Sequence, residues 1–213
     1  MSRSPSPIGP GTSTAPVTAT PITAVILAGG LGRRMGHVDK GLQLLDGRPL
    51  VSWVLQRLAP QAAQVLINAN RNREIYAAMG YRVITDQFGE FAGPLAGMHA
   101  GLSQAQHEQI AFVPCDTPFL PKDLVARLFV PLRNKGVDLV VARTGTRVHP
   151  VICLARRRLL PHLAGFLESG GRKVDAWYST LRVVEVNFAD QADAFRNLNT
   201  PQDLDGASGG GCG

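Results

Sequence analysis

From residue 22 onward, short apolar runs rich in β-branched residues alternate with stretches whose apolar positions recur every three or four residues. The runs "ITAVIL", "QVLIN", "YRVIT", "QIAFVP" and "DLVVAR" read as strands, short and bounded by turn or polar residues. Between them lie "RPLVSWVLQRLAP", "NREIYAAMG", "GPLAGMHAGLSQA" and "PKDLVARLFVPL", which have helical period. In the first of these, Leu50, Val51, Val54, Leu55 and Leu58 share one face, and Pro49 suits the first turn, where a missing N–H is harmless. Strand–helix alternation at this pitch predicts βαβ units with right-handed crossovers: a Rossmann-like, three-layer α/β fold around a mostly parallel central sheet. Around 140–155 two strand-like runs flank "RTGTRVH" and predict a hairpin insertion. Near the end, "NTPQDL" predicts a helix start, with Thr200 as N-cap, Pro201 at N1 and Asp203 at N3.

This pattern divides the chain. Residues 1–21 are dominated by Ser, Thr, Pro and Gly and hold no acidic residue, so they cannot bury enough apolar surface to offset ordering and are expected to be disordered. Residues 22–205 form one domain, and 206–213 read as a flexible Gly-rich tail. No apolar run approaches the roughly 18 to 20 residues that a membrane span needs. The opening segment has no apolar core of a secretory signal, and Arg33-Arg34 has no apolar stretch behind it to make an export signal, so the cytoplasm is the expected location. Cys115, Cys153 and Cys212 form no C-x-x-C and suggest neither a zinc site nor a disulfide framework. The first two are expected as inert core residues and the third as an exposed thiol.

Net charge is +6, with basic residues grouped at Arg33-Arg34, Arg156-Arg157-Arg158 and Arg172-Lys173. Aromatics are only 6%, and no continuous basic stripe carries them, so a nucleic-acid surface is disfavoured. Small polyanionic ligands explain the charge better, and a solvated surface accounts for the Arg156 triple equally well.

In open α/β sheets ligands bind beyond the carboxyl ends of the strands. Ala28-Gly29-Gly30-Leu31-Gly32 follows the first strand, where glycines let backbone N–H groups approach an anion. Neither standard template is met. The dinucleotide fingerprint G-x-G-x-x-G fails because the glycine after Gly30 and Gly32 is Gly36, and no glycine here precedes Lys-Ser or Lys-Thr as a P-loop demands. Taken alone, this loop reads equally as a phosphate cradle or as a tight structural turn. Lys40 offers a point charge to phosphates, and Arg34 a further cationic contact; either is also an ordinary surface residue. Asp116 follows the strand "IAFVPC" and can hold Mg²⁺ together with phosphate oxygens, or cap a helix begun at Pro121. Asp86 ends a strand in what is also plain turn chemistry, and Asn68 carries an amide suited to base or ribose recognition. Gly93 to Gly97 make either a close-approach turn or a tightly packed helix entry, and Asn199 can simply set up the turn before the Thr200 cap. No Ser/His/Asp arrangement is visible and His149 has no partner, so no nucleophile is assigned.

The segment "LAGG-x-G-x-RMG-x-x-DKG-L-x-x-L-x-G-x-PL" resembles the opening signature of nucleotidyltransferases that hand a nucleoside monophosphate to an acceptor phosphate. Its spelling "RRMGHVDKGL" is similar to that of the molybdenum cofactor guanylyltransferase family, and the resemblance continues through "VLINANR", "VITDQF", "GPLAGMHAGL", "FVPCDTPFLP", "HPV" and "NLNTPQDL". It implies a loop wrapped around a triphosphate, with Lys40 returning from its far end and Arg34 assisting. It implies nucleotide contacts from Leu27, Ala28, Gly29, Gly30, Asn68, Asp86 and Gly93, Mg²⁺ on Asp116, and a pterin acceptor near Asn197 and Asn199. The implied reaction is transfer of GMP from Mg-GTP to the terminal phosphate of Mo-molybdopterin, yielding the guanine dinucleotide cofactor and pyrophosphate. Transient contacts with molybdenum-insertion proteins, apo-molybdoenzymes or their chaperones are implied too, and neither nucleic acid nor membrane. Two other readings stay open at this point: a cytidylyltransferase acting on molybdenum cofactor or another small phosphate acceptor, and a nucleotide-binding or carrier module without turnover.

Overall fold

The computed structural model describes residues 20–28, 31–32, 38–88, 93–198 and 200–207. Among these residues the chain builds a seven-stranded sheet from β1 (Ile22–Leu27), β2 (Gln64–Asn68), β3 (Arg82–Ile84), β4 (Gln109–Pro114), β5 (Leu139–Thr144), β6 (Arg147–Arg156) and β7 (Val183–Asn187). Their spatial order is β7-β5-β6-β4-β1-β2-β3. β1 pairs in parallel with both β2 and β4, so Ile26 lies opposite Ile67 on one side and Val113 on the other. β3 is parallel to β2 and β7 to β5, while β6 runs antiparallel to both β4 and β5. β5 and β6 are the hairpin expected around 140–155.

Helices cover both faces: α1 (Leu50–Leu58), α2 (Arg73–Ala77), α3 (Pro94–Gln104), α4 (Leu124–Leu132), α5 (Leu160–Glu168) and α6 (Val174–Tyr178). The period of two along β1 sends Ile22, Ala24 and Ile26 to the layer of α1 and α4, where Val51, Val54, Leu55, Leu58, Leu124, Val125, Leu128 and Leu132 meet them. Val25 points the other way, into the layer of α3, α5 and α6, with Leu95, Met98, Leu163, Leu167 and Trp177. Burial on both faces explains why β1 and β4 show unbroken apolar runs instead of polar alternation.

Several local expectations shift. Pro49 does not enter the first turn of α1. It precedes it, extended at φ −55° and ψ 140°, in a two-residue strand (Arg48–Pro49) that pairs with Leu44–Leu45. That ladder holds Pro49 extended until Leu50 N, bonded to Gln43 O at 2.8 Å, opens the helix. The fourth helical stretch begins at Leu124 with Asp123 as N-cap, later than Pro121. β7, α5 and α6 have no counterpart among the runs singled out in the sequence. β7 is an outermost strand whose residues are only half-buried or exposed, which weakens its apolar signal.

The last helix, α7 (Pro201–Ala207), starts as its sequence foretold: Thr200 N donates to Asp203 Oδ2 (2.9 Å) and Asp203 N to Thr200 Oγ1 (3.1 Å). Ala207, buried with Leu45, Leu50 and Leu198, carries this helix two residues into the stretch read as a tail. Residues 1–19 and 208–213, Cys212 among them, lie outside the described residues. Cys115 and Cys153 are buried and free, and burial pushes the Cys153 thiol up to about 12. Among the described residues no helix is long and apolar enough to cross a membrane.

One packing constraint reaches the ligand edge of the sheet. α3 lies so close to β1 and β2 that a Cβ on Gly97 would sit 2.9 Å from Leu27 Cδ2 and closer still to Asn68 Oδ1. Gly97→Ala is therefore expected to destabilise the fold by about 1–3 kcal/mol through overpacking, read as a lower urea midpoint. Thr200→Ala, which removes one half of the capping pair, is expected to lower stability by about 1 kcal/mol in the same measurement.

Candidate active site

The chain leaves β1 toward β2 and β3, then returns through α3 to β4 on the other side of β1. The carboxyl ends of β1 and β4 therefore flank the point where strand order reverses, the place where open α/β sheets leave a crevice for ligands. Backbone bonds stitch this edge together: Ala28 N donates to Asn68 O (2.8 Å) and Cys115 N to Leu27 O (3.2 Å).

Asp116 stands just past β4 and is only 7% exposed. Its Oδ2 lies 3.5 Å from Lys40 Nζ, across 76 positions of sequence, while its buried Oδ1 has no hydrogen-bond partner among the described residues. Burial holds the Asp116 carboxyl above the usual aspartate range, with the Lys40 ammonium pulling the other way. Lys40 itself opens a single 3₁₀ turn, Lys40–Leu42, with its side chain about a quarter exposed. Asp116 plays no part in capping α4, which Asp123 precedes.

A second carboxylate lies two residues past β3. Asp86 Oδ1 accepts from Asn68 Nδ2 (2.9 Å) and Oδ2 from Asn70 Nδ2 (2.8 Å), while Asp86 N donates to Asn70 Oδ1 (2.9 Å). Asn70 was not among the residues singled out in the sequence. Its signal is positional: in "NAN" the alternate residues of an extended segment fall on the same side as Asn68. Gly93 precedes α3 at φ 64°, a left-handed conformation open to glycine. The segment Gly93 to Gly97 thus holds the tightly packed helix entry weighed for it, preceded by a glycine at positive φ.

On the other side of Asp116, its carbonyl accepts from Leu198 N (2.9 Å), and fully buried Thr117 donates through Oγ1 to Asn197 Oδ1 (3.1 Å). Thr117, also unmarked in the sequence reading, ties Asn197 to the end of β4. The structure so gathers Leu27, Ala28, Lys40, Asn68, Asp86, Gly93, Asp116 and Asn197 along one edge of the sheet. Gly29, Gly30, Arg34 and Asn199 lie outside the described residues. His149 is buried on β6, its Nε2 2.8 Å from Thr144 Oγ1 and its ring 4.9 Å from that of Phe195.

Among the described residues no group of three or more His, Cys, Asp or Glu side chains could by itself hold a metal ion. A single carboxylate suffices for Mg²⁺ when phosphates and water complete its shell. The orphaned, buried Oδ1 of Asp116 is a fitting donor for such an ion, since a cation would satisfy it where no protein group does.

Residues 24–183 match the sequence profile of the MobA-like NTP transferase domain. A molybdenum cofactor guanylyltransferase of Shewanella sp. (strain MR-4) is 46% identical over 181 residues, spanning 85% of this chain and 92% of that protein. One of Shewanella piezotolerans is 44% identical over 181 residues, 85% of this chain and 89% of the relative. In fold, the chain is similar to the crystal structure of an Archaeoglobus fulgidus protein described as molybdopterin-guanine dinucleotide biosynthesis protein A, with TM-score 0.71, 24% identity, and coverage of 87% of this chain and 96% of that one. The chain thus belongs to the molybdenum cofactor guanylyltransferase family of MobA-like NTP transferases.

Proposed function

We propose that this enzyme transfers GMP from GTP to the terminal phosphate of molybdopterin carrying molybdenum, forming a guanine dinucleotide and releasing pyrophosphate. The observation that carries this reading is the pairing of Lys40 with the buried, half-satisfied carboxylate of Asp116 at the strand-order reversal. An opposite-charge pair with one open carboxylate oxygen suits a ligand that brings both negative phosphates and a divalent cation.

In this reading the acceptor phosphate attacks the α-phosphorus of GTP in line, the bond to the β-phosphate oxygen breaks, and the electron pair leaves with pyrophosphate. The acceptor is a phosphate monoester with a second pKa of about 6, already ionised near neutral pH, so neither general base nor covalent enzyme intermediate is required. Catalysis then rests on alignment and on charge placed where charge develops. Lys40 presents its ammonium to the phosphates. Asp116 would supply the protein's ligand to Mg²⁺, and the bound cation would offset charge building on the leaving group.

On the base side, the carboxylate of Asp86 is held by the amides of Asn68 and Asn70 and keeps lone-pair capacity for a further donor pair. Guanine offers two adjacent N–H groups on its pairing edge, and cytosine does not. The backbone of Leu27 and Ala28 closes that side of the crevice, and the family resemblance assigns Gly29, Gly30 and Arg34 to the triphosphate. Asn197, with its carbonyl oxygen engaged by Thr117, keeps its amide N–H groups for the acceptor, and the family resemblance assigns Asn199 to the same ligand. Handover to molybdenum-insertion proteins and apo-molybdoenzymes or their chaperones, and a location in the cytoplasm with the free nucleotide pool, belong to the same reading.

Asp116→Ala is expected to lower GMP transfer by at least about 10²-fold with the cooperative unfolding transition retained, and a near-wild-type rate would remove Asp116 from the chemistry. Pyrophosphate release with GTP, CTP and ATP, each supplied with Mg²⁺ and molybdate-loaded pterin, is expected with GTP alone. A product mass corresponding to a cytosine dinucleotide would transfer the reading to the cytidylyltransferase class.

A further inference from the structure

Lys40 reaches the site on a turn whose foundations lie outside the residues that face the ligand. The preceding residue, Asp39, accepts from Gly41 N (3.1 Å) and Tyr76 Oη (2.5 Å) on Oδ1, and from Asn72 Nδ2 (2.9 Å) on Oδ2. Both carboxylate oxygens are thus engaged, by one bond within the turn and by two from α2 and its N-cap residue. Tyr76 is fully buried in the layer of α1 and α4. Burial and the bond to Asp39 hold its phenol far above the ordinary tyrosine range, so its proton stays in place and it remains a donor.

Two further features are shaped to this contact. A Cβ on Gly41 would lie 2.5 Å from Tyr76 Oη and 3.3 Å from Cys115 Sγ, so the residue after Lys40 has to be a glycine for the turn to settle onto the core. Asn72 sits at φ 49° as N-cap of α2, yet its side chain makes no capping bond to that helix and is turned to Asp39 instead. A non-glycine residue in the left-handed region costs conformational energy, which calls for a compensating contact. That contact spans 33 positions and ends beside the lysine. A lysine carries its charge on a flexible four-carbon stem, and so its reach is only as precise as the backbone beneath it.

We propose that Asp39, clamped by Tyr76 and Asn72, is a positioning residue that fixes the backbone from which Lys40 addresses the transferring phosphates. The inference rests on the role given to Lys40 above. It assigns Tyr76 and Asn72, whose side chains are bonded to Asp39, an effect on the chemical step that passes through Lys40.

The test is a double-mutant cycle. Tyr76→Phe and Asn72→Ala are each made in the wild-type chain and in Lys40→Ala, and GMP transfer is followed by single-turnover and steady-state assays. In the wild-type background each is expected to lower kcat by about tenfold to a hundredfold, with a much smaller change in KM for GTP. In the Lys40→Ala background neither is expected to lower kcat further, because effects routed through one group do not multiply. Asn72 is exposed, so Asn72→Ala reads the clamp even where loss of the buried Tyr76 hydroxyl lowers fold stability. An unchanged kcat in both wild-type-background variants, or the same fold-loss with and without Lys40, overturns the clamp while leaving Lys40 in its role. A Lys40→Ala enzyme at near-wild-type kcat overturns both.

Discussion

The structure turns on an ion pair that is costly to build. Asp116 is almost wholly removed from water and, among the described residues, is paired with Lys40 at the long distance of 3.5 Å. A buried carboxylate with an unsatisfied oxygen is unfavourable by itself, and a single partly exposed lysine offsets only part of the loss. Folds keep such arrangements where a ligand completes them. Everything nearby serves to hold this unfinished pair open: the parallel sheet that brings the ends of β1, β2 and β4 to one edge, the glycine-lined approach of α3, and the turn that delivers Lys40.

The segment following β2 links the two halves of that edge. Asn68 and Asn70 hold Asp86 on one side, and Asn72, two positions further on, holds Asp39 on the other. Three amides spaced by two residues therefore tie the carboxylate of Asp86 to that of Asp39, the residue before Lys40. Amides suit this work because each offers donors to a carboxylate without adding charge of its own. On the far side of Asp116 the same principle recurs with a hydroxyl: Thr117 fixes Asn197, and the carbonyl of Asp116 fixes the backbone at Leu198.

Particular residues show where the amino-acid sequence was legible and where it was not. β1, β2 and β4 could be read because they are buried on both faces, so their composition alone betrays them. β7 could not, because an outermost, half-exposed strand with Glu185 at its centre leaves too little apolar signal. Pro49 was placed one step too far along the chain, since nothing local announces that Leu44 and Leu45 will pair with Arg48 and Pro49 and hold them extended. The capping pair of Thr200 and Asp203 was readable because all of its parts lie within one turn.

The same divide runs through the site. By itself the sequence determined the strand–helix alternation, the late lysine after a glycine-rich turn, the carboxylates at strand ends, and the motif spelling that marks the family. These are local features, set by periodicity and spacing over a few residues. Only the tertiary structure decided that Lys40 meets Asp116, that Asn70 shares Asp86 with Asn68, that Thr117 holds Asn197, and that Tyr76 and Asn72 anchor Asp39. Those bonds join residues 16 to 80 positions apart. Such pairings exist only after the sheet has closed up in its particular strand order, because chain spacing constrains neighbours along the backbone and leaves neighbours in space to the packing of the core.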